Sequence, residues 1–111
     1  MLKGMTRVRT ILDSVLVTGA GNAFKSTSPK RTVQAIGKTS AGVGAASIFV
    51  QASNDGTNWV TIDTLSLTLG TTITSDHYTE DLPWKYIRAN VNSISGTDAE
   101  VSVFLGEEVV A

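Results

Sequence analysis

His77 is the one histidine of this 111-residue chain, and there is no cysteine. That removes thiolate zinc sites, a disulfide framework and a cysteine nucleophile together, leaving one imidazole for acid–base work. Serine and aspartate are plentiful, but no G-x-S-x-G elbow accompanies them, so His77 is expected in a polar loop. The acidic pairs Glu80-Asp81 and Glu107-Glu108 are adjacent in sequence, which on a strand sends the two carboxylates to opposite faces. A paired-carboxylate mechanism needs both groups beside one bond. Asn54-Asp55-Gly56-Thr57-Asn58 is as oxygen-rich as a calcium loop but lacks the later bidentate Glu. Asp-Gly between two alternating runs reads instead as a hairpin, because Gly supplies the positive φ such turns need. Gly19-x-Gly21 is a fragment of a phosphate-binding loop without its third Gly or a following Lys-Ser/Thr. Trp59, Trp84, Tyr78 and Tyr86 remain: on a surface they would stack on sugar rings, and in a core or interface they would pack. These residues predict no enzyme, no metal and no cofactor, with carbohydrate binding as the alternative to a protein-binding role.

The elements that must position these residues have a period of two. Ile48, Val50 and Ala52 alternate with Phe49, Gln51 and Ser53; Val60 and Ile62 share a face, and Leu65, Leu67 and Leu69 continue a half-buried or bent strand. Ile87, Ala89 and Val91 alternate with polar neighbours, as do Ala99, Val101, Val103 and Leu105. Asn54-Asp55-Gly56-Thr57 and Ser95-Gly96-Thr97-Asp98 close hairpins between these runs, and Leu82-Pro83 breaks the chain before the strand near Lys85. Val15 to Thr18 and Thr32 to Lys38 are expected strands, and residues 40–45 a flexible connection. Seven or eight short strands with regular turn signals and no clear helix predict an all-β antiparallel sandwich, jelly-roll in type.

Residues 1–12 carry Leu2, Met5, Val8 and Leu12 at a spacing a short helix uses, but Gly4 and the β-branched neighbours favour an extended basic arm ahead of a single domain over 13–111. No run approaches the ~20 apolar residues of a membrane span, so a soluble protein made in a cytoplasm is expected. Net charge is −1, which argues against wholesale nucleic-acid binding. The charge is unevenly spread. Residues 1–40 hold seven basic residues against one acidic, a balance of +6, and residues 41–111 hold two against nine, or −7. Such a split suits docking on an acidic partner or on a second copy, and is equally what two solvated faces would give.

The run Phe49-Val50-Gln51-Ala52-Ser53-Asn54-Asp55-Gly56-Thr57-Asn58-Trp59, then Trp84-Lys85-Tyr86-Ile87-Arg88-Ala89-Asn90-Val91 and Ser93-Ile94-Ser95-Gly96-Thr97, resembles modules of tailed-phage structural proteins. With its length and basic leading segment, the whole chain resembles the capsid decoration, or staple, proteins of short-tailed Salmonella phages of the epsilon fifteen type. The resemblance implies a jelly-roll homodimer on the outer capsid surface of a virion, stabilising the shell by binding the major capsid protein. A phage tail component is the nearest variant. The expected docking residues are Leu2, Met5, Arg7, Val8 and Arg9 of the arm, with Lys30 and Arg31 of a neighbouring loop.

Overall fold

The structure is a computed structural model that describes residues 5–26 and 30–109. The described residues form nine strands: β1 (Met5–Val15), β2 (Gly19–Ala20), β3 (Phe24–Lys25), β4 (Lys30–Lys38), β5 (Ala41–Ser53), β6 (Val60–Leu69), β7 (Thr74–Asp81), β8 (Tyr86–Thr97) and β9 (Glu100–Val109). They form two antiparallel sheets, one ordered β1-β9-β4-β7 and the other β2-β8-β5-β6, with β3 also on β8. Counting β2 and β3 as one interrupted strand gives eight, distributed as two interlocked Greek keys, the jelly-roll arrangement.

The core forms where the inward faces of the sheets meet. Val33 and Ala35 of β4 and Val101, Val103 and Leu105 of β9 lie against Ile48, Val50 and Ala52 of β5, Leu65, Leu67 and Leu69 of β6, and Ile87, Ala89 and Val91 of β8, all nearly inaccessible. Each set has the period-two spacing read from the sequence, so the alternation alone sorts core from surface in these strands.

Five expectations need correction. Ser95-Gly96-Thr97-Asp98 closes no hairpin: β8 and β9 lie in different sheets, so this turn carries the chain across the sandwich. The segment taken as an arm enters the sheet: from Met5 it is β1, paired with β9 from Met5↔Val109 to Val15↔Val101, so a boundary at residue 12 falls inside a strand. β1 ends at Val15, so residues 16–18 connect rather than form a strand; β5 starts at Ala41, inside the expected flexible connection. There Gly42 has φ +70°, and a bulge separates Ala41↔Thr97 from Ala45↔Ser95. His77 lies on β7, whose residues Thr74–Asp81 alternate half-buried and exposed without a strong apolar signal. Neither apolar alternation nor turn residues marked that strand.

The hairpin after β5 is stapled by Asp55. Its Oδ1 accepts from the backbone N–H groups of Thr57 and Asn58 at 2.8 Å each and from Ser53 Oγ at 2.8 Å, while Oδ2 accepts from Asn58 Nδ2 at 2.7 Å. The carboxylate is spent on turn donors, as the hairpin reading requires. These bonds, the Asn58 backbone donor foremost, hold the Asp55 carboxyl far below the ordinary value of 3.8. A depressed folded value makes its stabilisation complete above that ordinary value and progressively lost as pH falls below it. The Tm of the wild-type protein should therefore drop faster than that of Asp55→Ala between about pH 4 and pH 2, the range below the free aspartate value. Parallel Tm–pH curves for the two proteins would contradict this.

Candidate functional site

Placing the expected docking residues divides them between two faces. Leu2 lies outside the described residues. Met5 opens β1, with its backbone opposite Val109. Val8 is 63% exposed on the outer face of the first sheet, where Lys30 is also exposed. Arg7, Arg9 and Arg31 have the opposite parity and turn toward the space between the sheets, where Arg31 is 3% exposed. Arg31 is therefore no accessible docking residue, while Arg7 and Arg9 keep side chains 43% and 29% exposed as they face an internal partner.

That partner is Glu107, whose side chain is fully buried. Registers Arg7↔Glu107 and Arg31↔Glu107 put one carboxylate on β9 between cations on both neighbouring strands. Arg7 and Arg9 approach Glu107 Oε1 at 3.9 Å, and Arg9 also lies 5.9 Å over the Phe24 ring. Arg31 Nη1 donates to Ser26 Oγ at 2.6 Å, and Ser26 Oγ donates to Glu107 Oε2 at 2.8 Å. Nη1 also donates to Trp84 O at 3.1 Å, while the rest of the Arg31 fork bonds Glu80 Oε1 through Nε at 2.8 Å and through Nη2, and Nη2 reaches Leu82 O at 2.5 Å. A guanidinium presents five donors in a rigid plane, and here they tie a carboxylate on β7 to carbonyls of the segment leading into β8. Tyr78 Oη donates to Glu80 Oε2 at 3.1 Å; burial, then the Glu80 charge, pushes its phenol upward and keeps that proton in place.

The network closes the end of the sandwich where the apolar core stops. It also accounts for the charge split along the sequence. Basic β1 and β4 flank acidic β9, and β4 lies beside acidic β7, so the two halves of the chain meet as Arg7–Glu107, Arg31–Glu80, Lys38–Glu100 at 3.8 Å and the Lys30↔Asp81 register. Much of the imbalance is thus consumed inside one sheet. Lys30 and Asp81 lie side by side on the outer face.

The outer face of that sheet is the accessible candidate. One row crosses all four strands as Val8–Gly106–Thr32–Thr79, and the next as Thr10–Phe104–Gln34–His77. At the end nearest Lys30 the face sinks into an open trough of about 510 Å³, with Lys30, Thr32, Thr79, Asp81, Gly106 and Glu108 along it. Glycine in the first row lowers the floor, since a side chain there would project from the face. Val8, Phe104 and Ile36 supply apolar area, and Lys30, Asp81 and Glu108 supply charge at the rim. His77 sits in the second row opposite Gln34, its backbone N–H donating to Asp76 Oδ1 at 2.8 Å.

The four aromatics do not form one platform. Tyr78 and Trp84 pack against the core. Trp59 lies outside the second sheet with the Arg88 guanidinium 4.3 Å over its ring, and Arg88 Nε donates to Gln51 Oε1 at 2.8 Å. The stacking face of Trp59 is thus already used by a cation. Among the described residues no cluster of three or more His, Asp or Glu has metal-holding geometry.

A comparison with protein-family models finds no match, and a comparison with curated proteins finds none either. Among solved structures, the fold is similar to the SPBc2 prophage-derived protein YomS, at TM-score 0.63 and 10% identity over 98% of this chain and 97% of that one. It is also similar to the PBSX exported protein XepA, at TM-score 0.55 and 9% identity over 96% of this chain and 38% of that one. At such identities the likeness is one of fold: this chain spans the full YomS sandwich and one part of XepA.

Proposed function

We propose that the chain is a structural protein of a tailed-phage virion that decorates the outside of the capsid and stabilises it by binding the major capsid protein. The observation that carries this reading is the outer face of the first sheet, a surface on which Val8, Phe104 and Ile36 are set among polar residues with Lys30, Asp81 and Glu108 at one end, on a jelly-roll scaffold similar throughout to a prophage-derived protein. A scaffold of this kind works by offering surface. A ligand that prefers the assembled shell stabilises it by its differential affinity, and many copies on one lattice add their modest contacts. Homodimerisation on the shell belongs to the same reading and rests on the resemblance to staple proteins alone.

Val8 and Lys30 are the two expected docking residues that the fold leaves exposed on this face, and substituting them disturbs no core contact. Val8→Asp combined with Lys30→Glu should leave the Tm within a few degrees of wild type and weaken binding to purified shells by about tenfold or more, the loss of one anchor at an interface centre. Co-sedimentation with emptied capsids measures this. Undiminished occupancy by the double variant would remove this face from the proposal, and failure of the wild-type protein to bind heads at all would remove the proposal. Immunogold labelling of virions separates head from tail attachment.

A further inference from the structure

The outer face of the second sheet carries charge of one sign. Its register places Lys25 opposite Tyr86 and Arg88 opposite Gln51, with the parity opposite to that of the core residues Ile87 and Val50. Among the described residues at the outward-facing paired positions of β2, β3, β5, β6 and β8, the charged ones are Lys25 and Arg88, both cations. Neither forms an ion pair with a described residue. Asp55 of the adjoining hairpin has both oxygens occupied by turn donors, and Asp63 lies opposite Val50, on the core-facing parity of β6. In a chain with ten acidic residues, a sheet face that holds cations alone is an uncompensated positive surface, and it suits an anionic partner.

Arg88 is also held in one orientation. Its guanidinium lies 4.3 Å over the Trp59 ring, and its Nε donates to Gln51 Oε1 at 2.8 Å. Gln51 is only 9% exposed and is itself anchored, donating from Nε2 to Thr61 Oγ1 at 3.2 Å. A free arginine gives up several rotamers when it binds, but here stacking and the Nε bond have already fixed the guanidinium plane. With Nε spent on Gln51, the donors left are those of Nη1 and Nη2, which bond no described residue. They form a fork whose parallel N–H bonds match the two oxygens of one carboxylate.

We infer that Arg88 and Lys25 form a binding site for an acidic, extended polypeptide segment of a partner protein, with one carboxylate on the Arg88 fork and a second, two residues along the segment, at Lys25. Lys25 pairs with Tyr86, two residues from Arg88 on β8, so the cations are offset by about 7 Å along the strands, the distance from i to i+2 in an extended chain. The fixed guanidinium plane favours a planar carboxylate, and the spacing favours two of them on one segment. A sugar acid gains less here, because the Trp59 ring face that would stack on it is covered by Arg88. The site lies on the sheet opposite Val8 and Lys30 and goes beyond capsid attachment through the first sheet.

The test is an NMR titration of the full chain with the capped peptide acetyl-Ser-Glu-Thr-Glu-Ser-amide, following the Arg88 Nε–H, the Gln51 side-chain amide, the Trp59 indole N–H and the backbone amides. Saturable shifts should be confined to these side chains and to the backbone around Lys25 and Arg88, should weaken as salt is added, and should vanish when both glutamates of the peptide are glutamines. Arg88→Lys keeps the charge but loses the fork and should weaken binding about tenfold; Lys25→Gln, at an exposed position, should weaken it about threefold. Both variants should keep the Tm and the remaining amide spectrum of wild type. Absence of shifts, equal shifts with the glutamine peptide, or unchanged affinity in both variants overturns the inference. Inorganic phosphate or glucuronate binding as tightly as the peptide also overturns it, because the occupant is then a phosphate or an acidic sugar. None of these outcomes bears on shell binding by Val8 and Lys30, so the two readings fail separately.

Discussion

Arg31→Ala is expected to lower stability by about 3–5 kcal/mol, the cost of leaving a buried charge without its partner. Arg31 and Glu80 have side chains 1% and 3% exposed, so the change strands the Glu80 carboxylate in the interior and also strips donors from Ser26, Leu82 O and Trp84 O. For a domain of this size that corresponds to a fall in Tm of roughly 12–20 °C. Replacing the pair together, as Arg31→Met with Glu80→Leu, should recover much of the loss, because desolvation then penalises no charge there. Circular-dichroism melting of the single and double variants measures both quantities. A single variant that melts within about 3 °C of wild type, less than one kcal/mol by the same conversion, would show that the network contributes little to stability.

The second large effect concerns the N-terminal segment. Were it a free arm, removing residues 1–10 would leave the sandwich folded and impair docking only. The structure predicts the reverse. Residues 5–10 provide the pairs from Met5↔Val109 to Thr10↔Phe104, so their loss uncovers the β9 edge over that length and removes Arg7 and Arg9 from the buried Glu107. Truncation tolerance follows the burial and hydrogen bonding of the backbone removed, and here that backbone makes six of the eight pairs of the β1–β9 ladder. The truncated chain should lose its cooperative thermal transition, or melt more than about 15 °C lower, the equivalent of several kcal/mol. A truncated protein that melts as the full chain does would mean that β1 is held weakly enough to act as an arm. The shell-binding experiment accordingly depends on substitutions at Val8 and Lys30, which change the outer face and leave the ladder in place.

Both effects arise where local sequence was ambiguous. In β8 and β9, Ile87, Ala89 and Val91, and Val101, Val103 and Leu105, are all almost fully buried. There the apolar parity identifies the core face without reference to any other strand. In β1 the same parity argument says only that Arg7 and Arg9 share a face opposite Val8. It favours the apolar residue as the inward one, and the structure inverts this: Val8 is 63% exposed and the arginines face Glu107. No window of a few residues contains the reason, because the carboxylate that makes an inward arginine stable lies about 100 residues along the chain. A usable signal did exist in the long-range balance of charge, basic through residue 40 and acidic after it, which suits pairing between the two halves as well as it suits docking.

β7 illustrates the complementary failure. Thr74–Asp81 is polar throughout except Tyr78, so no apolar period marks it, and His77 looked like a loop residue. The strand forms because eight residues of β4, from Lys30 to Gly37, offer it a ladder, and because Tyr78 and Glu80 on its inward face find the core and Arg31. Edge strands draw much of their stability from such neighbours and correspondingly little from their own composition.

The amino-acid order by itself determined the all-β class, the antiparallel sandwich, the Asn54–Thr57 hairpin and the core residues of the central strands, because period-two burial and turn stereochemistry are properties of neighbours in the chain; whether the turn at Ser95–Asp98 closed a hairpin or crossed between sheets was not determined by it. Tertiary structure alone decided which cations point inward, that β1 is part of the sheet, and which face stays open. Those outcomes are set by contacts between residues 50 to 100 positions apart, where a buried charge is tolerated only if a distant partner arrives.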